Sequence, residues 1–162
     1  MTESKKKILL IGFGNPARAD DGLGPALAEI IESKNFSDVT VEADYQLTIE
    51  DSAQVAENDI VIFADASANC GEPFSFEPLT ARESGSFSSH SVEPAEVMAL
   101  AENLFGSKAR GFILAIRGYE FDQFGAALTE KAKANLQKAV VFIEKLLKNK
   151  NFNKIPESVA CS

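Results

Sequence analysis

Apolar and polar positions along the chain alternate between two periods. Ile8 to Ile11 is an unbroken apolar run entering Gly12, the signature of a strand buried on both faces. After a loop of Gly, Pro and Asp, the residues Leu23, Leu27, Ile30 and Ile31 recur at helical spacing. Val39 to Ala43 predicts a second strand, and Ile49 to Ala56 a short helix capped by Thr48. Asp59 to Ala64 and Gly111 to Ile116 are further buried-type strands. Between them, Phe74, Phe76 and Leu79 alternate with polar residues and Pro78, which suits an edge strand. Ser91 is placed to cap a helix carrying Val97, Leu100, Leu104 and Phe105. Thr129 is placed to cap a long one through Val140, Ile143 and Leu147.

Strands that alternate with helices predict a three-layer α/β/α sandwich around a mostly parallel, twisted sheet with one antiparallel edge strand. The 162 residues suffice for a single domain, read here as 1–148. Residues 149–162 lack periodicity and are expected to form a frayed tail.

Charge and composition narrow the function. A net charge of −8 without a basic block argues against a nucleic-acid partner. No run approaches the ~20 apolar residues that span a bilayer, so no membrane association is expected. The start, Lys5-Lys6-Lys7 before Ile8 to Phe13, is too short in its apolar part for a signal peptide. Two cysteines fit a reducing compartment, and the expected location is the cytoplasm. One histidine excludes a two-histidine metalloprotease helix and a structural zinc site.

In open α/β sheets, ligands bind beyond the carboxyl ends of the strands where strand order reverses. With the order 2-1-3, the crevice lies between the first and third strands. The loop Gly12 to Gly22 and Asp65 would flank it. Asp20 and Asp21 can instead cap the first helix, and Asp65 can begin a turn. The loop also matches a dinucleotide fingerprint through Gly12, Gly14 and Ala17, the basis of an alternative reading as an oxidoreductase. It fits poorly: Pro16 has no N–H, and two aspartates follow. The glycines then serve a tight turn and close backbone approach. His90 is a surface residue or the chain's one imidazole at the crevice. Cys70 with His90 is a conceivable nucleophile pair, but no neighbouring residue marks the thiol as activated. Asp21, Asp65 and His90 together make a sparse set suited to nickel, zinc or iron(II), with open positions.

Several stretches resemble the nickel–iron hydrogenase maturation endopeptidases. They are Ile8-Leu9-Leu10-Ile11-Gly12-Phe13-Gly14-Asn15, then Asp20-Asp21-Gly22-Leu23-Gly24, and Ile60-Val61-Ile62-Phe63-Ala64-Asp65-Ala66. Ser89-His90 before an Ala/Leu-rich helix and Gly125 to Thr129 before the last helix complete the set. The resemblance implies an aspartyl-type endopeptidase that removes a short C-terminal extension from the hydrogenase large-subunit precursor after nickel insertion. It implies Asp21, Asp65 and His90 as catalytic and nickel-contacting residues. Gly14, Asn15 and Asp44 would bind substrate. The nickel would come with the precursor rather than be held by the free enzyme. A monomer that docks transiently is expected. A second alternative is a non-catalytic nickel- or precursor-binding chaperone using the same residues. Two loops depart from the family pattern: Asp44-Tyr45-Gln46-Leu47 replaces Asp-Gly-Gly, and Arg117-Gly118-Tyr119-Glu120-Phe121 replaces Gly-x-x-Pro.

Overall fold

In a computed structural model of the chain, residues 6–82, 92–152 and the backbone of 159–160 are described. The strands are β1 (Ile8–Phe13), β2 (Val39–Asp44), β3 (Ile60–Ser67), β4 (Phe74–Leu79), β5 (Arg110–Arg117) and β6 (Val159–Ala160). The helices are α1 (Leu23–Glu32), α2 (Asp51–Ala56), α3 (Pro94–Phe105) and α4 (Glu130–Asn149), with a 3-10 turn at Ala19–Gly22. The sheet order is β2-β1-β3-β5-β4-β6, parallel from β2 to β5 and antiparallel at β4 and β6. Strand order reverses between β1 and β3, the 2-1-3 order on which the expected crevice depends.

The continuous apolar runs are explained by burial on two sides. Ile8 and Leu10 face one core with Leu23, Leu27 and α4 residues such as Leu136 and Ile143. Leu9 and Ile11 face the other, with Val55 of α2 and Val97 and Met98 of α3. Phe76 stacks on Phe112 at 5.2 Å, and Phe142 meets both Phe74 and Phe76. Burying side chains of this size supplies about 1.5–3 kcal/mol each.

Helix starts differ from expectation in detail. α3 begins at Pro94 and is capped by Glu93 in a capping box with Glu96, whereas Ser91, the expected cap, lies outside the described residues. A proline at the first helical position needs no N–H partner, which fixes that start. Thr48 stands one turn before α2, and Asp51 reaches back to accept its N–H at 2.8 Å. Thr129 caps α4 as expected, its Oγ1 accepting the Ala132 N–H at 3.2 Å. Past α4, in the segment read as a frayed tail, Phe152 is buried against Phe112 and its carbonyl accepts from Arg110. The backbone of Val159–Ala160 pairs with Ser75 and Phe76, so β4 is covered over those two residues. Pro78 sits in the remaining part of β4.

Candidate active site

The crevice at the carboxyl end of the sheet is made by backbone packing. A Cβ on Gly12 would lie 2.1 Å from the Gly24 carbonyl oxygen, and one on Gly24 would lie 2.5 Å from the carbonyl oxygens of Ala64 and Phe13. Two glycines thus let α1 rest directly on β1 and β3, drawing the β1–α1 loop over the strand ends. Gly14 has φ +144°, and its N–H donates to the Asp44 carbonyl at 3.0 Å. The loop has the tight-turn role predicted for its glycines, and regular helix resumes only at Leu23.

The two adjacent aspartates of this loop diverge. Asp20 is fully buried. Its carboxylate accepts the N–H groups of Tyr119 (2.8 Å), Glu120 (3.1 Å) and Thr129 (2.7 Å), and the Thr129 hydroxyl (2.8 Å). Burial opposes its charge, but these four donors outweigh that and hold its carboxyl below the usual range. Asp20 is therefore neither a helix cap nor a crevice group. It ties the β1–α1 loop to the β5–α4 loop, whose Gly125 N–H also donates to the Ala17 carbonyl at 2.7 Å. The departure Arg117 to Phe121 supplies two of the donors. Sequence reasoning missed this role, because the partners lie about a hundred residues away.

Asp21 is half-buried and turned the other way, accepting the Asn15 N–H at 2.8 Å. Asn15 in turn accepts the Ala17 N–H through Oδ1 at 2.9 Å, a local turn that stiffens the loop. Asp65, near the end of β3, pairs with Ala115 of β5 and accepts the Ala66 N–H at 2.8 Å. Its carboxyl is pushed up to about 7, first by burial and then by the negative charges of Asp21 and Glu93, against the Ala66 hydrogen bond. Asp21 and Asp65 thus face one electrostatic environment across the crevice. Glu93, the α3 cap, joins them from the opposite layer and was not singled out from the sequence. The proline after it was the available signal, since it marks a helix start.

Asp44 stands at the end of β2, level with Phe13 of β1. Burial and the neighbouring charge of Glu42 raise its carboxyl, and the charges of Asp44 and Glu42 help to raise that of Asp51, where burial is the larger cause. Tyr45 beside it is 69% exposed, while Leu47 is buried. The strands and loops thus bring Gly14, Asn15, Asp21, Asp44 and Asp65 to one end of the sheet. His90 lies outside the described residues. Among the described residues no group of three or more His, Cys, Asp or Glu side chains is arranged to hold a metal ion. Cys70 sits on the rim, its thiol directed to the Ala115 carbonyl at 3.5 Å and its own carbonyl accepting from Arg117.

No protein-family model and no curated protein matches the chain in sequence. Solved structures do match in fold. The [NiFe] hydrogenase maturation protease HycI from Thermococcus kodakarensis superposes with a TM-score of 0.69 at 22% identity, over 89% of this chain and 94% of that one. The endopeptidase HybD from E. coli gives 0.64 at 17% identity, over 90% and 94%. A hydrogenase 2 maturation peptidase from a Thaumarchaeota archaeon gives 0.64 at 20%, over 88% and 99%. The fold is that of the hydrogenase maturation proteases. No helix among the described residues is long and apolar enough to cross a membrane.

Proposed function

We propose that this chain is the endopeptidase that removes the C-terminal extension from the nickel-loaded precursor of a nickel–iron hydrogenase large subunit. The observation that carries the reading is Asp65. On a fold shared with proteins described as hydrogenase maturation proteases, a carboxyl with a pKa near 7 stands beside Asp21 at the switch point of the sheet. A group poised there suits general base work at neutral pH.

In the reaction, the ionised Asp65 takes a proton from a water molecule while the water oxygen attacks the scissile carbonyl carbon. The tetrahedral intermediate collapses with cleavage of the C–N bond, and the proton passes to the leaving amine. Asp65 is then again a carboxylate. Asp21, Asp65 and His90 are the residues that contact the nickel carried by the precursor. Two carboxylates and one imidazole make a sparse site for free metal, and nickel already held by the precursor brings its other ligands with it, so docking depends on a loaded substrate. Gly14, Asn15 and Asp44 would line the path of the peptide. The enzyme works as a cytoplasmic monomer on this reading, consistent with few cysteines and high negative charge.

The test is mass spectrometry of nickel-loaded precursor incubated with the protein, with nickel-free precursor as control. A C-terminal mass loss confined to the loaded form is expected. Binding without mass loss would replace the protease by a nickel- or precursor-binding chaperone.

A further inference from the structure

β2 ends the sheet with its outer edge unpaired among the described residues. Its sequence, Val39-Thr40-Val41-Glu42-Ala43-Asp44, holds no proline and no lysine, the usual guards of an open edge. Backbone N–H and C=O groups of one strand residue point to the same side, and successive residues alternate. The carbonyls of Asp38 and Asp44 accept from Ile8 and Gly14 of the β1 segment, so residues of even number face β1. Val39, Val41 and Ala43 therefore turn their backbone groups outward.

A groove of about 880 Å³ lies against α1, bordered by Val41, Glu42 and Ala43 of β2 and reaching Ala127 and Leu128 of the β5–α4 loop. At one end it meets Pro16 and Gly22 of the loop that carries Asn15 and Asp21, its flank holds Val41 and Ala43, and its far end is rimmed by Glu29 and Glu32. Both glutamates are exposed in the last turn of α1, where the helix dipole disfavours negative charge and no basic residue offsets it. A cation at that end would relieve both.

We infer that this edge is the seat of the precursor's C-terminal extension, which adds to β2 as an antiparallel strand with basic residues against Glu29 and Glu32. This rests on the processing reading. The direction follows from the groove: the scissile bond lies over the crevice, at the carboxyl end of β2, and the extension leads away toward its start. Six residues of β2 span about 20 Å, room for about six residues of an added strand. An added strand would lie three strand spacings, about 14 Å, from β3, so about four extended residues cross from Asp65 to the groove.

Hydrogen exchange of the unmodified chain with nickel-loaded precursor, pulsed before cleavage is complete, tests the docking with every nickel-contacting residue in place. Slowing of the Val41 and Ala43 amides at least tenfold is expected with the full precursor, and none with precursor ending at the cleavage point. In processing assays, Ala43→Pro removes an outward N–H without touching the β1 ladder, and should raise KM about tenfold or more with little change in kcat. Glu29→Lys combined with Glu32→Lys should also raise KM, and replacing basic residues of the extension by glutamate should restore it. Cleavage with unchanged exchange and unchanged KM in both variants would overturn the docking and leave the protease reading intact. Slowed amides with no cleavage by the unmodified chain would support the docking and remove the protease.

Discussion

Asp20 and Asp65 stand at the same end of the sheet, and both are aspartates at strand or helix ends. Their surroundings differ in one respect that decides everything else. Asp20 is buried among four hydrogen-bond donors from the β5–α4 loop, and ionisation is favoured. Asp65 is half-buried with one backbone donor and two negative neighbours, and ionisation is opposed. Burial acts against charge in both, so the donor count separates a group that fastens two loops from one that can exchange a proton near neutrality. A carboxylate already satisfied four times has nothing left to offer a substrate.

The largest effect should come from removing the proton acceptor. Asp65→Asn keeps the shape and relieves the repulsion with Asp21 and Glu93, so folding should be retained or improved. Loss of general base work lowers rates by about 10²–10⁴. Processing of nickel-loaded precursor, followed by mass, is expected to fall within or below that range while the melting temperature does not drop. A normal rate would remove Asp65 from the mechanism.

Asp20→Asn tests the other side. An amide keeps one acceptor oxygen but turns an NH2 toward backbone donors, leaving buried N–H groups unmatched. The expected loss is about 3 kcal/mol of stability. For a chain of this size that lowers the melting temperature by about 6–12 °C, measurable by calorimetry. Activity at low temperature should change less than stability.

The two groups should also give opposite slopes with pH. Asp65 has its folded pKa raised to about 7, above the unfolded value of about 3.9. Between those values the folded state holds a proton that the unfolded state has lost, so its contribution to stability falls as pH rises from about 4 to 7 and is flat above. Asp20, with its folded pKa lowered, contributes fully above the unfolded value and loses that contribution as pH falls through the folded one. Melting temperatures from pH 4 to 8 should therefore slope less downward in Asp65→Asn than in the unmodified chain. The kcat/KM for processing, which reports the free chain before nickel reaches Asp65, should rise with pH through an inflection near 7.

The contrast also marks where sequence reading stops. The fold was legible because β1 and β3 carry apolar residues on both faces, a pattern that only a covered parallel sheet satisfies. The 2-1-3 order then placed Asp21 and Asp65 at one crevice. The division of labour between Asp20 and Asp21 was not legible, since adjacent residues in a loop have no period and the donors to Asp20 arrive from Tyr119, Glu120 and Thr129. Glu93 escaped for the same reason: its proximity to Asp65 depends on how α3 packs, not on local pattern. Phe152 falls in the stretch read as a frayed end because a single aromatic among polar residues has no periodicity, and its burial comes from contact with Phe112 of β5, distant in sequence. The Thr129 cap, by contrast, needs only three residues of local chain and was correctly placed.

The finest test of the contrast is Asp21→Asn. Asp21 raises the Asp65 carboxyl through its charge, second to burial, and also receives the Asn15 N–H, which the asparagine side-chain oxygen can still accept. The substitution removes a charge and leaves the loop in place. Asp65 should then ionise at lower pH, and the inflection in the processing rate should move down from near 7, while burial and Glu93 keep it above the ordinary aspartate range. If nickel contact is the main role of Asp21, KM for loaded precursor rises and the inflection stays. If its charge tunes Asp65, the inflection in kcat/KM moves down. An unmoved inflection and an unmoved KM together would leave Asp21 as a loop residue, and Asp65 alone in the crevice.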